Sequence, residues 1–169
     1  MAFCTGESET EALEALHDDA WRWALKLCRG DREHAQDVLQ TAYLTVLEKS
    51  ANRLGGSSFK TWVFGVIRVT AKSHNRRLAR QWRRMTGVHD LAMPCDQAAE
   101  PLSQSVLNAF AALPGRQGEI AELVFLQDLT LDEAAEVMGV SSGSARTHYA
   151  RAKKRLKAAM TAQTGVDYG

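Results

Sequence analysis

Apolar residues recur through this chain at helical spacing, and none of its three prolines, at 94, 101 and 114, interrupts a periodic segment. No stretch shows the strict alternation of a half-buried strand. The pattern therefore dictates an all-α chain. A first helix is expected from about Thr10 to Cys28, with Leu13, Leu16, Ala20, Trp23, Ala24 and Leu27 inward. After the turn "RGDRE", a second runs from about Arg32 to Ser50, burying Ala35, Val38, Leu39, Ala42, Val46 and Leu47. The glycine pair in "NRLGGSS" breaks it, and Ser57 or Ser58 can cap the next helix. That third helix is long, about Phe59 to Arg84, and buries Phe59, Trp62, Val63, Val66, Ile67 and Thr70. Periodicity is lost over "MTGVHDLAMPCDQAAEP", which reads as a linker.

The second half is punctuated by local signals. Helices are expected over 103–112 and about 116–127, separated by "LPG". In "LTLDEAAEVMGVSSGSARTHYARAKKRLKAAM", Thr130 and Glu133 make a T-x-x-E capping box that starts a short helix. Gly139 suits the left-handed residue that ends it. Ser141 or Ser142 caps a longer basic helix burying Ala145, Tyr149, Ala152 and Leu156. Short helix, glycine turn and basic helix make a helix-turn-helix. An ordinary αα-hairpin lacks the outer face seen here, with Arg146, Thr147, Arg151 and Lys154 suited to phosphates and base edges.

Net charge is only +1, but it is segregated. Lys49 to His89 holds ten Lys or Arg and no acid, and Val137 to Val166 holds six more, again without acid. Residues 1–48 hold ten acids and 90–136 nine. Two basic blocks between acidic ones imply two polyanion-binding surfaces. In the third helix Arg68, Lys72, Arg76 and Arg80 stand four apart and form one stripe, with Arg77 beside it. Trp62 and Phe59 belong to the core side; Phe64 invites a base-stacking reading; Trp82 reads as exposed and His74 as a surface residue. Cys4, Cys28 and Cys95 are odd in number and unpaired in motif, which fits reduced thiols in a cytoplasmic protein. The start of the chain does not read as a signal peptide, and no apolar run suits a bilayer, so no membrane partner is expected. No phosphate loop, zinc motif or nucleophile elbow is present, so neither a catalytic residue nor a metal or other cofactor is expected.

"HAQDVLQTAYLTVLEK…SSFKTWVFGVIRVTAKSHNRR" resembles the second conserved region of bacterial extracytoplasmic-function (ECF) sigma factors. "LPGRQGEIAELVFLQDLTLDEAAEVMGVSSGSARTHYARAKKRL" resembles their fourth. The resemblance implies two small helical domains on a flexible linker: 1-85 binding core RNA polymerase and the minus-ten element, linker 86-101, and 102-169 binding the minus-thirty-five element. It implies RNA polymerase core, through its large-subunit clamp, and promoter DNA as partners; an anti-sigma protein and a Ser/Thr kinase are the two candidate regulators, and the sequence does not choose between them. By position, Arg146, Thr147, Ala150, Arg151 and Lys154 would meet the minus-thirty-five element. Arg68, Lys72, Arg76, Arg77 and Arg80 would meet the minus-ten element.

The chain departs from the family pattern at two places. "R-V-T-A-K-S" carries Val69 and Ser73 where many members have Asn and Asp. In the clamp-binding helix, His34, Gln36 and Thr41 stand where acids are usual. The stripe Asp37, Thr41, Thr45 and Glu48, three or four apart, would be the polymerase-binding face. Its depleted charge raises the expectation that a Ser/Thr protein kinase activates the protein at Thr41, with Thr45 as second candidate. The alternative is a helix-turn-helix regulator that binds DNA without polymerase. A small metal- or ligand-binding helical domain is a third reading.

Overall fold

The computed structural model describes residues 5–49, 56–86 and 104–164. These residues are helical with short turns, and the chain divides into two compact units between Gln97 and Ala98. The expected linker, 86-101, lies outside the described residues apart from Thr86, as do Cys4 and Cys95.

The first unit contains α1 (Thr5–Ala15), α2 (His17–Leu27), α3 (Arg32–Lys49) and α4 (Phe59–Thr86). The single helix expected over 10–28 is two. The Leu16 N–H is shared between the carbonyls of Ala12 and Leu13, at 3.2 Å each, which tightens and closes α1. α2 restarts at once with Asp18 and Asp19 in its first turn, where the helix dipole favours acids. Arg29 and Gly30 take positive φ, 57° and 84°, to reverse the chain. Asp31 then caps α3, its Oδ1 accepting the His34 N–H at 2.9 Å. Of the two serines expected to cap α4, Ser58 does so, its Oγ accepting the Thr61 N–H at 3.1 Å.

α2, α3 and α4 enclose a core of Ala20, Trp23, Ala24, Val38, Leu39, Ala42, Val46, Val63, Phe64, Ile67 and Ala71. Cys28 is buried with them, and burial together with the nearby Asp31 charge pushes its thiol up to about 12, so it stays neutral. Two expectations fail here. Leu47 is 45% exposed, because α3 presents it to the side of its buried line. On α4 the buried line is Thr61, Val63, Phe64, Ile67, Arg68 and Ala71, while Phe59, Trp62, Val66 and Thr70 are half-buried. Phe64 is therefore core and cannot stack on a base.

The second unit contains α5 (Gln104–Ala111), α6 (Gly115–Ala121), α7 (Leu131–Met138) and α8 (Ser142–Thr164). The helix expected over 116–127 is α6 running into a π-helical turn, Glu122–Leu126. The turn closes with the Gln127 N–H on the Glu122 carbonyl at 3.1 Å, and Asp128 comes next at φ 55°. Phe125 is held there edge-on to Phe110 and stacked on Tyr149.

The capping box at α7 is complete: Thr130 Oγ1 accepts the Glu133 N–H and Glu133 Oε2 accepts the Thr130 N–H. Gly139 is left-handed, at φ 61° and ψ 44°, and the Val140 N–H returns to the Ala135 carbonyl at 3.0 Å. Ser141 caps α8 through the Ser144 N–H. A Cβ at Gly139 would meet nothing within 4 Å, so substitution there isolates backbone strain. Gly139→Ala should lower the stability of this unit by about 1–2 kcal/mol in chemical denaturation, without altering its helical circular dichroism.

Candidate nucleic-acid interface

α8 has two unlike faces. Ala145, Ala152 and Leu156 are buried, and Tyr149 is half-buried against Phe125 with Lys153 Nζ 5.6 Å from its ring centre. Arg146, Thr147, Ala150, Arg151 and Lys154 are all exposed and share the opposite arc. Thr147 donates its hydroxyl to the Gly143 carbonyl at 3.0 Å and stands exposed beside Arg146. α7 packs on α8, and Ala134, Ala135 and Met138 of α7 are buried, so the basic arc is left on the outside. α8 carries six Lys or Arg, all between Arg146 and Lys157, and no acid, so its field is positive over that stretch.

The basic surface of the first unit is shorter than the spacing suggests. Arg68 is only 4% exposed and does not stand on a surface stripe. It lies one turn after Phe64, and the rotation that buries Phe64 carries Arg68 inside as well. Lys72 is half-buried; Arg76, Arg77 and Arg80 are exposed, and Arg83 and Arg84 extend the patch. Lys60 is engaged, pairing with Asp19 at 2.8 Å and lying over the Phe64 ring. Val69 and Ser73 face out, and so does Trp82. His74 is not a lone surface residue: its ring stacks on His34, with centroids 5.8 Å apart.

On α3, Asp37, Thr41 and Glu48 are exposed and Thr45 half-buried. Both threonine hydroxyls donate to the carbonyl one turn back, Thr41 to Asp37 and Thr45 to Thr41, at 2.9 Å each. The stripe has a member that sequence reasoning missed. Leu44 is 62% exposed between Thr41 and Glu48, seven residues after Asp37. The i, i+7 spacing was the available signal. An exposed apolar side chain between two carboxylates does not suit contact with a phosphate backbone. Among the described residues no cluster of His, Cys, Asp or Glu could hold a metal ion, and no helix is long and apolar enough to cross a membrane.

Residues 12–83 match the family described as sigma-70 region 2, and residues 103–156 match sigma-70 region 4. The ECF RNA polymerase sigma factor SigF of Caulobacter vibrioides is 31% identical over 132 residues, 77% of this chain and 73% of that protein. The ECF RNA polymerase sigma factor EcfG of Rhodopseudomonas palustris is 24% identical, covering 83% of this chain and 78% of that protein. In fold, the chain is similar to the sigma factor RpoE crystallised with the anti-sigma factor NepR from Bartonella quintana. That likeness has TM-score 0.75 and 22% identity, and covers 92% of this chain and 98% of that one. It is also similar to CnrH in complex with the cytosolic domain of CnrY, at TM-score 0.63 and 18% identity, covering 95% and 92%.

The burial of Arg68 separates it from the exposed arginines. Arg68→Ala should destabilise the first unit by about 1–3 kcal/mol. Arg76→Ala and Arg80→Ala should each leave stability within about 0.5 kcal/mol of wild type. Thermal and urea denaturation of the three variants measures both.

Proposed function

The chain belongs to the ECF sigma factors, and from that premise we propose how its two units divide the work. As a sigma factor it directs RNA polymerase core to promoters; polymerase performs the chemistry of RNA synthesis. In this reading the face Arg146, Thr147, Ala150, Arg151 and Lys154 of α8 lies in the major groove of the minus-thirty-five element. Arg76, Arg77 and Arg80 of α4, with Lys72 at its margin, guide the minus-ten strand as the duplex opens. Arg68 supports α4 from within. Asp37, Leu44 and Glu48 of α3 meet the polymerase clamp, whose basic residues complement the two carboxylates. Residues 1-85 and 102-169 are then the two working domains, acting in the cytoplasm where polymerase is. The observation that carries this reading is the two-faced α8, since its exposed arc is basic and free of acid while its other arc is locked into the unit.

Regulation has two proposed routes. Solved neighbours in this fold are in complex with an anti-sigma factor or a cytosolic protein domain, and a protein of that kind would occlude the same basic and apolar faces. The second route is a Ser/Thr kinase acting on the α3 stripe, where only Asp37 and Glu48 supply charge. A phosphate on exposed Thr41 adds about −1.5 to −2 charges and three acceptor oxygens for arginine. The change breaks the Thr41 hydroxyl bond to Asp37, a loss of about 1 kcal/mol, which the docking contact must exceed. Half-buried Thr45 is the weaker site.

In vitro transcription with core polymerase tests the premise directly; tight, specific promoter binding by the free protein would favour the regulator alternative instead. Arg146→Ala and Arg151→Ala should each weaken promoter recognition by about 1–3 kcal/mol with unchanged melting. Combined Arg76→Ala and Arg80→Ala should reduce open complex more than polymerase affinity, and Leu44→Ala the reverse. For the kinase route, core affinity is compared for unmodified, phosphorylated and Thr41→Ala protein. Phosphorylation should raise it; full activity of Thr41→Ala in cells would remove Thr41 from the mechanism.

A further inference from the structure

The contact between His34 and His74 has no part in promoter recognition as proposed, yet it joins α3 to α4. The two imidazoles stack at 5.8 Å between centroids, with an angle of 27° between their planes. His34 is half-buried, and its Nε2 is buried with no hydrogen-bond partner among the described residues. Its backbone N–H is bound by the capping carboxylate of Asp31, so the ring sits in the first, capped turn of α3. A second proton on this ring has nowhere good to go. It places a charge against another imidazole and leaves a buried N–H without an acceptor, which is costly.

We propose that the His34–His74 stack is a proton-sensitive clasp between α3 and α4, closed when the His34 ring is neutral and loosened when acid protonates it. The groups that act on His34 can be named from every side. Asp31 in the capping turn and Asp37 on α3 favour its cationic form; His74 from α4 opposes it; α2 leads into Cys28, whose thiol is neutral. Burial is the largest influence and outweighs the carboxylates, so His34 is held below its ordinary value of 6.5. An imidazole with a depressed folded value contributes its full stability above the ordinary value. It gives that stability up as pH falls below about 6.5 toward the folded value, because the unfolded chain takes up the proton first.

The clasp also bears on docking, a step that rests on the proposed polymerase role of α3. His34 lies one turn before Asp37, so a proton there sets a cation beside one of the two carboxylates on that stripe. Acid would then both loosen the start of α3 and reduce the negative charge it offers.

Three measurements on the full chain test this. NMR titration of the imidazole Cε1–H resonances should place His34 below its ordinary value; a normal or raised value overturns the proposal. Melting midpoints are compared at pH 7.5 and 5.5 for wild type and His34→Phe, which keeps the ring contact and removes the titration. Wild type should lose about 4–8 °C more than the variant for each kcal/mol the clasp gives up. Equal losses overturn the proposal. His74→Phe, which removes only the like-charge repulsion, should fall between the two. If His34→Phe does not fold, the wild-type titration decides alone. Core-polymerase affinity should fall on acidification in wild type and less in His34→Phe. A flat response beside a depressed titration and a lost acid slope would refute the docking role of α3 and leave the clasp standing.

Discussion

Trp23 is the hinge of the first unit's geometry. Its indole is fully buried, stacks on Phe64, and donates its N–H to the Phe64 carbonyl at 3.2 Å. One side chain of α2 thus grips both the ring and the backbone of the same α4 residue. An indole N–H buried without an acceptor would be costly, so the rotation of α4 about its own axis is not free. With that rotation set, Val63, Ile67 and Ala71 turn inward, Arg68 is drawn under the surface, and Val69, Arg76 and Arg80 are left outside. The chemistry available on the basic face is a consequence of where one tryptophan sits.

The same constraint marks the limit of what the residues of α4 reveal on their own. That α4 exists, and is basic without acids, is written in its composition. Which face it buries is not, because its apolar residues from Phe59 to Ala71 cover more than half the circumference. A choice led by Phe59, Trp62 and Val66 is as periodic as the observed one, and the two differ by roughly one residue's rotation, ~100°. Only the partner helix decides. The same holds for His74, whose neighbour His34 is forty positions away in sequence. Leu47 on α3 illustrates a related limit, since a leucine at helical spacing reads as core whether or not a neighbouring helix reaches it.

The second unit was more legible because its signals are local. The Thr130–Glu133 box, the Gly139 turn and the Ser141 cap each involve residues at most five apart, and each stands where the sequence placed it. The π-helical turn at Glu122–Leu126 was not foreseeable. It is a departure from the lowest-energy helix, and what accompanies it is non-local: Phe125 lodged between Phe110 and Tyr149. The exposed arc of α8 emerged once the buried Ala145, Ala152 and Leu156 were identified, since on a straight helix one face determines the other.

The separation of faces on α8 has an evolutionary corollary. Its buried residues, Ala145, Ala152 and Leu156, are enclosed, so nearly every change there disturbs packing. Its outer residues touch little of their own fold, and replacing them costs the unit little stability. Surface chemistry and foldability are thus encoded in interleaved but nearly independent letters of one segment. After gene duplication, a descendant could explore new outer letters one at a time while remaining a folded protein at every step.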